Sequence, residues 1–507
     1  MRTKKSARNV IVSTFNSILN IIISLFVQKI FLRILGESYL GLNGVFSNML
    51  SILAVAELGI GTAIVYKMYR PIEEKNEKQI AKLMNFYRRC YRIIISVMIL
   101  IILIILPFLR YIIGDTSDIK ENIYLLYGLF SLDILISYLL AYKKSILYAD
   151  QNEYISNLVH LGYLIFMNSL QIFFLIKTHE YLIYLIIKIA CRFLENLLIN
   201  FIVNRKYAYI GRNKNLELDK NEQKDIFKKI KSLFLHKLAG FVVTGTDTIL
   251  ISFFLGGLVT VGYYSNYSLI ISAVTTVFNQ VFISITSSVG NLLVTESKAK
   301  RLEVFNKIQF LNFWFFAFAS ICIFCIIEPF ITIWIGSKYI LSKFVLISLV
   351  FNFFMQGMRR TMMSFKEAAG IFYEDRYVPI IESVINLVAS VIFLKIFGLA
   401  GVFLGTITST LIVYLYSYPK IVYETLFGEK GIKYVLLIGK YTVVGTFTLV
   451  VTYCIVNIIN INNDYLRVLI NMIICMVVPN VLFMIIYWNN CNFKYYLNIV
   501  KKIIHRK

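Results

Sequence analysis

Lys188, Arg192 and Glu195 lie in an otherwise uncharged run, at spacings of four and three residues that place all three on one helical face. Two cations so placed could hold an anionic group, Arg with the better geometry for it. Lys29 and Arg33 share a face of an earlier apolar run, toward its outer end. Glu57, Asp133 and Asp247 are carboxylates inside further apolar runs. Glu57 and Asp247 have no opposite charge within one helical turn. That suits a coupling site, where the charge state or a bound ion (H+ or Na+) changes between conformations. An ionisable group at such a position costs several kcal/mol and is a functional candidate by default. Each also has a plainer reading. Arg33, Arg359 and Arg360 are near enough to run ends to snorkel. His160 can be a neutral helix contact, Glu195 can pair with Arg192, and Glu57 and Asp247 can hydrogen-bond to a neighbouring helix.

Catalytic and metal-binding patterns are missing. No G-x-x-x-x-G-K-[ST] loop occurs, so the chain carries no ATP site of its own. No two Asp stand at i and i+2, and the four His are far apart. Cys322-x-x-Cys325 lies within Ile-Cys-Ile-Phe-Cys-Ile-Ile and reads as small apolar filler in a helix. No catalytic residue, metal site or cofactor is expected, and the chain reads as a non-enzyme.

The elements that must position these groups are membrane helices. Of 507 residues, 58% are hydrophobic and 16% charged, against about 25% charged in a soluble protein. That excludes disordered, fibrous and ordinary cytosolic proteins. About 20 apolar residues make one crossing. Charge-free stretches mark about fourteen: 9–34, 40–66, 91–109, 122–142, 154–176, 181–203, 233–255, 263–294, 308–334, 341–363, 377–397, 399–419, 434–457 and 466–488. Residues 248–295 contain no Asp, Glu, Lys or Arg, which is too long for one crossing and predicts a hairpin turning near Gly256-Gly257. Unbroken runs such as Ile93–Leu106 exclude the alternation of a β-barrel.

A net charge of +24 would suggest nucleic acid in a soluble protein. Here the cations fill the gaps between apolar runs, and the membrane explains them better. With the N-terminus and its Arg2, Lys4, Lys5 and Arg8 inside, most of the 52 Lys and Arg fall at the termini and even-numbered loops. Both termini are therefore expected in the cytoplasm. The longer inner loops, 67–90 and 204–232, interleave Lys and Arg with Ile80, Leu83, Phe86, Ile226, Phe227 and Ile230, as amphipathic helices on an anionic leaflet or solvated basic loops would. No cleavable signal is visible.

An internal repeat divides the chain. Leu35-Gly36-x4-Gly41-Leu-Asn-Gly-Val-Phe-Ser47-Asn48 matches Leu255-Gly256-x5-Gly262-Tyr-Tyr-Ser265-Asn266. The expected architecture is an all-α integral membrane protein. Two pseudo-symmetric six-helix lobes, 1–204 and 233–424, flank a basic inter-lobe loop at 205–232. Residues 425–507 add an extra helix pair and a basic tail. Paired lobes of this kind are transporter architecture.

Several segments resemble one family: Glu57-Leu-Gly-Ile-Gly-Thr-Ala-Ile, Tyr69-x-Pro71, Tyr148-Ala-Asp150-Gln151-x2-Tyr154, His236-Lys237, Gly245-Thr-Asp247-Thr-Ile-Leu-Ile-Ser and Tyr264-Ser-Asn-Tyr. Glu374-Asp-Arg-Tyr-x-Pro379 with Asn386-Leu, and Gly398-x2-Gly401-Val-x2-Gly405-Thr-x2-Ser409, complete the set. Together they look like the Wzx-type oligosaccharide flippases of bacterial capsule and surface polysaccharide synthesis, in the multidrug/oligosaccharidyl-lipid/polysaccharide exporter superfamily. The resemblance weakens after about residue 430. It implies fourteen helices, two lobes, a central cavity and a place in the bacterial cytoplasmic membrane. It also implies a polyprenyl-diphosphate-linked repeat unit as cargo, with the polymerase and glycosyltransferases of the same pathway as partners. Lys188, Arg192, Lys29 and Arg33 are then the expected diphosphate and cavity residues, and Glu57, Asp247 and Asp133 the expected coupling carboxylates. The rivals are a drug antiporter of the same superfamily, which would want a carboxylate-rich cavity, and a membrane polymerase, which the short outer loops disfavour.

Overall fold

The structure, a computed structural model, describes residues 2–504 apart from 58, 59, 214, 225, 228–244, 256, 372, 373, 460 and 462. Among the described residues every regular element is helical, and nine helices are long and apolar enough to cross a membrane. The protein is an all-α, multi-pass membrane fold. It divides into two compact units, Met1–Ser265 and Asn266–Lys507.

The first unit opens with α1 (Arg2–Leu35) and α2 (Glu37–Ser51), then a 3₁₀ turn, Ile52–Glu57, leads to α3 (Ile60–Glu73). Next come α4 (Glu77–Ile105), α5 (Leu109–Ile113), α6 (Ile123–Leu139), α7 (Lys144–Ala149), α8 (Glu153–Thr178), α9 (Tyr181–Lys206), α10 (Ala208–Arg212) and α11 (Asp247–Phe254). Polar caps start the helices where the charge pattern changes. Asn76 Oδ1 accepts from Gln79 N at 3.1 Å to begin α4, and Asn122 Oδ1 accepts from Tyr124 N at 2.9 Å to begin α6. The 67–90 stretch departs from expectation. From Glu77 onward it is the first part of α4, and Ile80, Leu83 and Phe86 are buried on protein, with Phe86 5.8 Å from Phe227 ring to ring. An amphipathic face reads the same in sequence whether lipid or protein covers it. Ile230, Lys228, Lys229, Lys231 and the His236-Lys237 motif lie outside the described residues, as does most of the 233–255 run.

The uncharged run breaks where the turn was expected, α11 ending at Phe254 and α12 (Leu258–Thr295) beginning four residues later. The two copies of the glycine repeat meet. A Cβ at Gly41 would collide with the backbone of Leu258, one at Gly262 with the carbonyl of Glu37, and one at Gly44 would sit 2.9 Å from Ser265 Oγ. Only glycine lets α2 and α12 cross this closely.

The second unit contains the rest of α12, then α13 (Lys298–Trp334), α14 (Lys343–Met358), α15 (Arg360–Ala369), α16 (Val378–Phe397) and α17 (Leu399–Ile412). A π-helical segment, Val413–Tyr423, continues α17 into α18 (Glu424–Phe427). The extra C-terminal pair is α19 (Ile432–Ile458) and α20 (Asp464–Tyr487), followed by α21 (Cys491–Ile504). Cys322 and Cys325 sit within α13 as expected of helix filler, Cys325 buried and Cys322 partly so.

Candidate functional site

The helical face of Lys188, Arg192 and Glu195 forms as expected on α9, and neighbouring helices supply its partners. Asp133, buried on α6, receives Lys188 Nζ at 3.2 Å and Arg192 Nε at 3.4 Å. Arg192 Nη1 also reaches Glu195 Oε2 at 3.4 Å. Glu195 is 1% exposed, and its Oε1 meets Lys144 Nζ of α7 at 3.3 Å and His160 Nδ1 of α8 at 3.0 Å. Aromatic rings support the cations: the Arg192 guanidinium lies 4.7 Å from the Tyr163 ring centre and the Lys188 ammonium 5.1 Å from that of Phe130.

Two buried carboxylates thus share three cations. Leaving either carboxylate alone would cost several kcal/mol, which sharing removes. The sharing is loose. Charge-assisted N–H···O bonds run about 2.7–2.9 Å, and four of these five contacts are 3.2 Å or longer. The side chains of Lys188 and Arg192 keep 27% and 23% of their surface exposed.

Beside this chain of charges opens a pocket of about 360 Å³ around Glu57, the last residue of the 3₁₀ turn. Tyr91 OH donates to Glu57 Oε1 at 2.6 Å. Tyr87 packs edge-on against Tyr91 at 4.8 Å and receives Ser145 Oγ at 3.3 Å, and Tyr138 stacks on Tyr91 at 6.1 Å. Tyr148 and Lys144 complete the polar wall. Lys144 therefore belongs to both features, paired with Glu195 on one side and lining the Glu57 pocket on the other. Sequence reasoning missed Lys144. It follows the fourth apolar run and reads as part of a loop, whereas a 3₁₀ turn and α7 fold it back beside α9.

The remaining candidates lie elsewhere. Lys29 and Arg33 are exposed on α1 and have no ionic partner among the described residues. Asp247 begins α11, and its Oδ1 is buried without a hydrogen-bond partner among the described residues. The expectation that Arg359 snorkels is corrected. Its guanidinium donates to both oxygens of buried Glu382, at 2.6 and 3.1 Å, because α14 and α16 bring the two charges together. Lys366 pairs nearby with buried Asp375, which also accepts from Ser417 Oγ at 2.6 Å.

The sequence matches no family model and no curated protein. Its fold, however, is shared with known transporters. The lipid II flippase MurJ, in an inward closed conformation, superposes with a TM-score of 0.67 at 18% identity, over 94% of this chain and 99% of that one. An inward-facing multidrug resistance MATE family transporter of the MOP superfamily gives 0.58 at 14% identity, over 85% and 99%. A mutant of the Vibrio cholerae MATE transporter VcmN gives 0.57 at 13%, again over 85% and 99%. At these identities the likeness is one of fold.

Proposed function

We propose that this protein is a transporter that flips a polyprenyl-diphosphate-linked oligosaccharide from the cytoplasmic to the outer leaflet of a bacterial cytoplasmic membrane, its termini in the cytoplasm. The carrying observation is the loosely shared cluster of three cations and two carboxylates beside a tyrosine-lined pocket, the two joined by Lys144. A diphosphate must not enter hydrocarbon bare, since each unsatisfied polar group there costs several kcal/mol. Lys188 and Arg192 bind it by exchanging their carboxylate partners for phosphate oxygens. Tyrosine faces and hydroxyls then meet the sugars. Exposed Lys29 and Arg33 offer the headgroup a second pair of cations. The fold shared with a lipid II flippase supports the reading. Glu57, hydrogen-bonded to one tyrosine, and Asp247, with its unpartnered Oδ1 among the described residues, are the coupling carboxylates for H+ or Na+, with Asp133 as a third. Polymerase and glycosyltransferases of the same pathway would be its working partners.

The test uses the full chain in vesicles with a fluorescent polyprenyl-diphosphate-linked sugar. One charge-assisted bond lost should cost about 1.5–3 kcal/mol, roughly ten- to 150-fold in affinity. Lys188→Ala with Arg192→Ala should reduce flipping at least that much while the protein still inserts. Glu57→Gln should leave binding intact and remove the response to an imposed pH gradient. Unchanged flipping by the double variant would exclude the site.

One feature favours a second reading. A carboxylate among tyrosines also suits an organic cation, as in a drug antiporter. Ethidium export abolished by Glu57→Gln and indifferent to Arg192→Ala would select it.

A further inference from the structure

Within the second unit, α13, α14 and α19 enclose an elongated slot of about 370 Å³. Its wall is almost wholly hydrocarbon, contributed by Phe324, Phe351, Phe354, Leu449, Val450 and Tyr453 among others. Its buried polar atom, Ser320 Oγ, has no hydrogen-bond partner among the described residues. Water needs two to four such partners to stay in a cavity, so water does not fill this one. The slot opens sideways between α14 and α19, where Ile347 and Val450 are 50% and 51% exposed.

The long axis follows the helices. The α13 part of its wall, Ala317 to Phe324, is seven residues long, or about 10 Å at the helical rise, and Glu328 stands one further turn along α13. One leaflet of hydrocarbon is half of ~30 Å thick. The rim is charged. Lys343, at the start of α14, pairs with Glu328, and its ammonium lies 5.8 Å from the Phe324 ring centre and 5.6 Å from that of Tyr453. Both rings line the slot. Lys338 stands on the same short connection between α13 and α14.

We propose that this slot holds one acyl chain of a resident phospholipid whose phosphate meets Lys343. The volume accommodates roughly twelve methylenes, at about the ~30 Å³ of a liquid water each, which suits much of one acyl chain and is far less than a polyprenyl tail. A half-exposed cation at headgroup level gives the site its preference for an anionic lipid.

Native mass spectrometry of the full chain, released from nanodiscs of equimolar phosphatidylglycerol and phosphatidylcholine, tests this. One phosphatidylglycerol per chain should be retained, favoured about tenfold over phosphatidylcholine. Lys343→Gln should keep a bound lipid and lose the preference. Gly445 lines the slot, and a Cβ there would meet Phe313, Ala317 and Phe354 at ordinary distances of 3.6–3.7 Å. Gly445→Ala should therefore keep the lipid, and Gly445→Leu should fill the slot and reduce retention about tenfold. If Gly445→Leu unfolds, Val450→Trp at the open side should block entry without crowding the interior. Equal retention of both lipids by the unaltered protein overturns the proposal. So does full retention by the blocked variants. Displacement of phosphatidylglycerol by added polyprenyl phosphate would assign the slot to a transported lipid's tail instead, and also overturns it.

Discussion

The two units each bury a group of charges, and they do it differently. In the first, Asp133 and Glu195 divide themselves among Lys188, Arg192, Lys144 and His160 at 3.0–3.4 Å, with the cations part-exposed. In the second, Arg359 grips Glu382 through two nitrogens at 2.6 and 3.1 Å, its side chain only 14% exposed. Both Glu382 oxygens are taken by one buried guanidinium, so the pair ties the end of α14 to α16. Shared, longer contacts with part-exposed cations are what the proposed exchange of one anion for another needs. Residue types alone do not separate the two arrangements, but geometry and access do.

The largest expected effect tests the second unit. Glu382→Gln leaves the Arg359 guanidinium buried without a counter-charge, and breaking a buried pair costs about 3–5 kcal/mol. The unfolding midpoint in detergent should fall sharply, whereas Asp133→Asn, whose cations keep exposed surface, should move it much less. Equal shifts would erase the contrast. A smaller effect, of opposite sign, is expected in substrate binding. If Asp133 competes with the diphosphate for Lys188 and Arg192, Asp133→Asn should tighten binding of a polyprenyl diphosphate about tenfold, or 1.4 kcal/mol, in a titration that follows intrinsic fluorescence. Weaker binding would mean that Asp133 orients the cations instead. The smallest effect concerns Lys144. Lys144→Gln should leave affinity for the sugar-free diphosphate within about threefold, under 1 kcal/mol, and weaken only the glycosylated lipid. A uniform loss for both would unlink the pocket from the charges.

Much of this was visible in the sequence. Charge-free stretches located many of the long helices, although the 40–66 run is divided by the 3₁₀ turn Ile52–Glu57, and the uncharged 248–295 run breaks between Phe254 and Leu258. Lys188, Arg192 and Glu195 could be placed together because one helix carries all three. Asp133 was a candidate without a partner, and Lys144 was no candidate at all, since both depend on how separate helices pack. Periodicity reports a residue's neighbours on its own helix and nothing of the next one. The same limit hid the Arg359–Glu382 pair. It also hid the π-helical segment at 413–423, where Ser417 turns its hydroxyl to Asp375.

The charge cluster of the first unit has an electrical consequence. Lys144, Lys188 and Arg192 outnumber Asp133 and Glu195 by one positive charge. A net charge held among membrane-spanning helices lies in the transmembrane field, and carrying one elementary charge across the whole field is worth ~2.3 kcal/mol per 100 mV. An anionic headgroup of two charges would reverse the sign of the cluster. If the protein carries such a headgroup as proposed, voltage would push its empty and loaded forms in opposite directions.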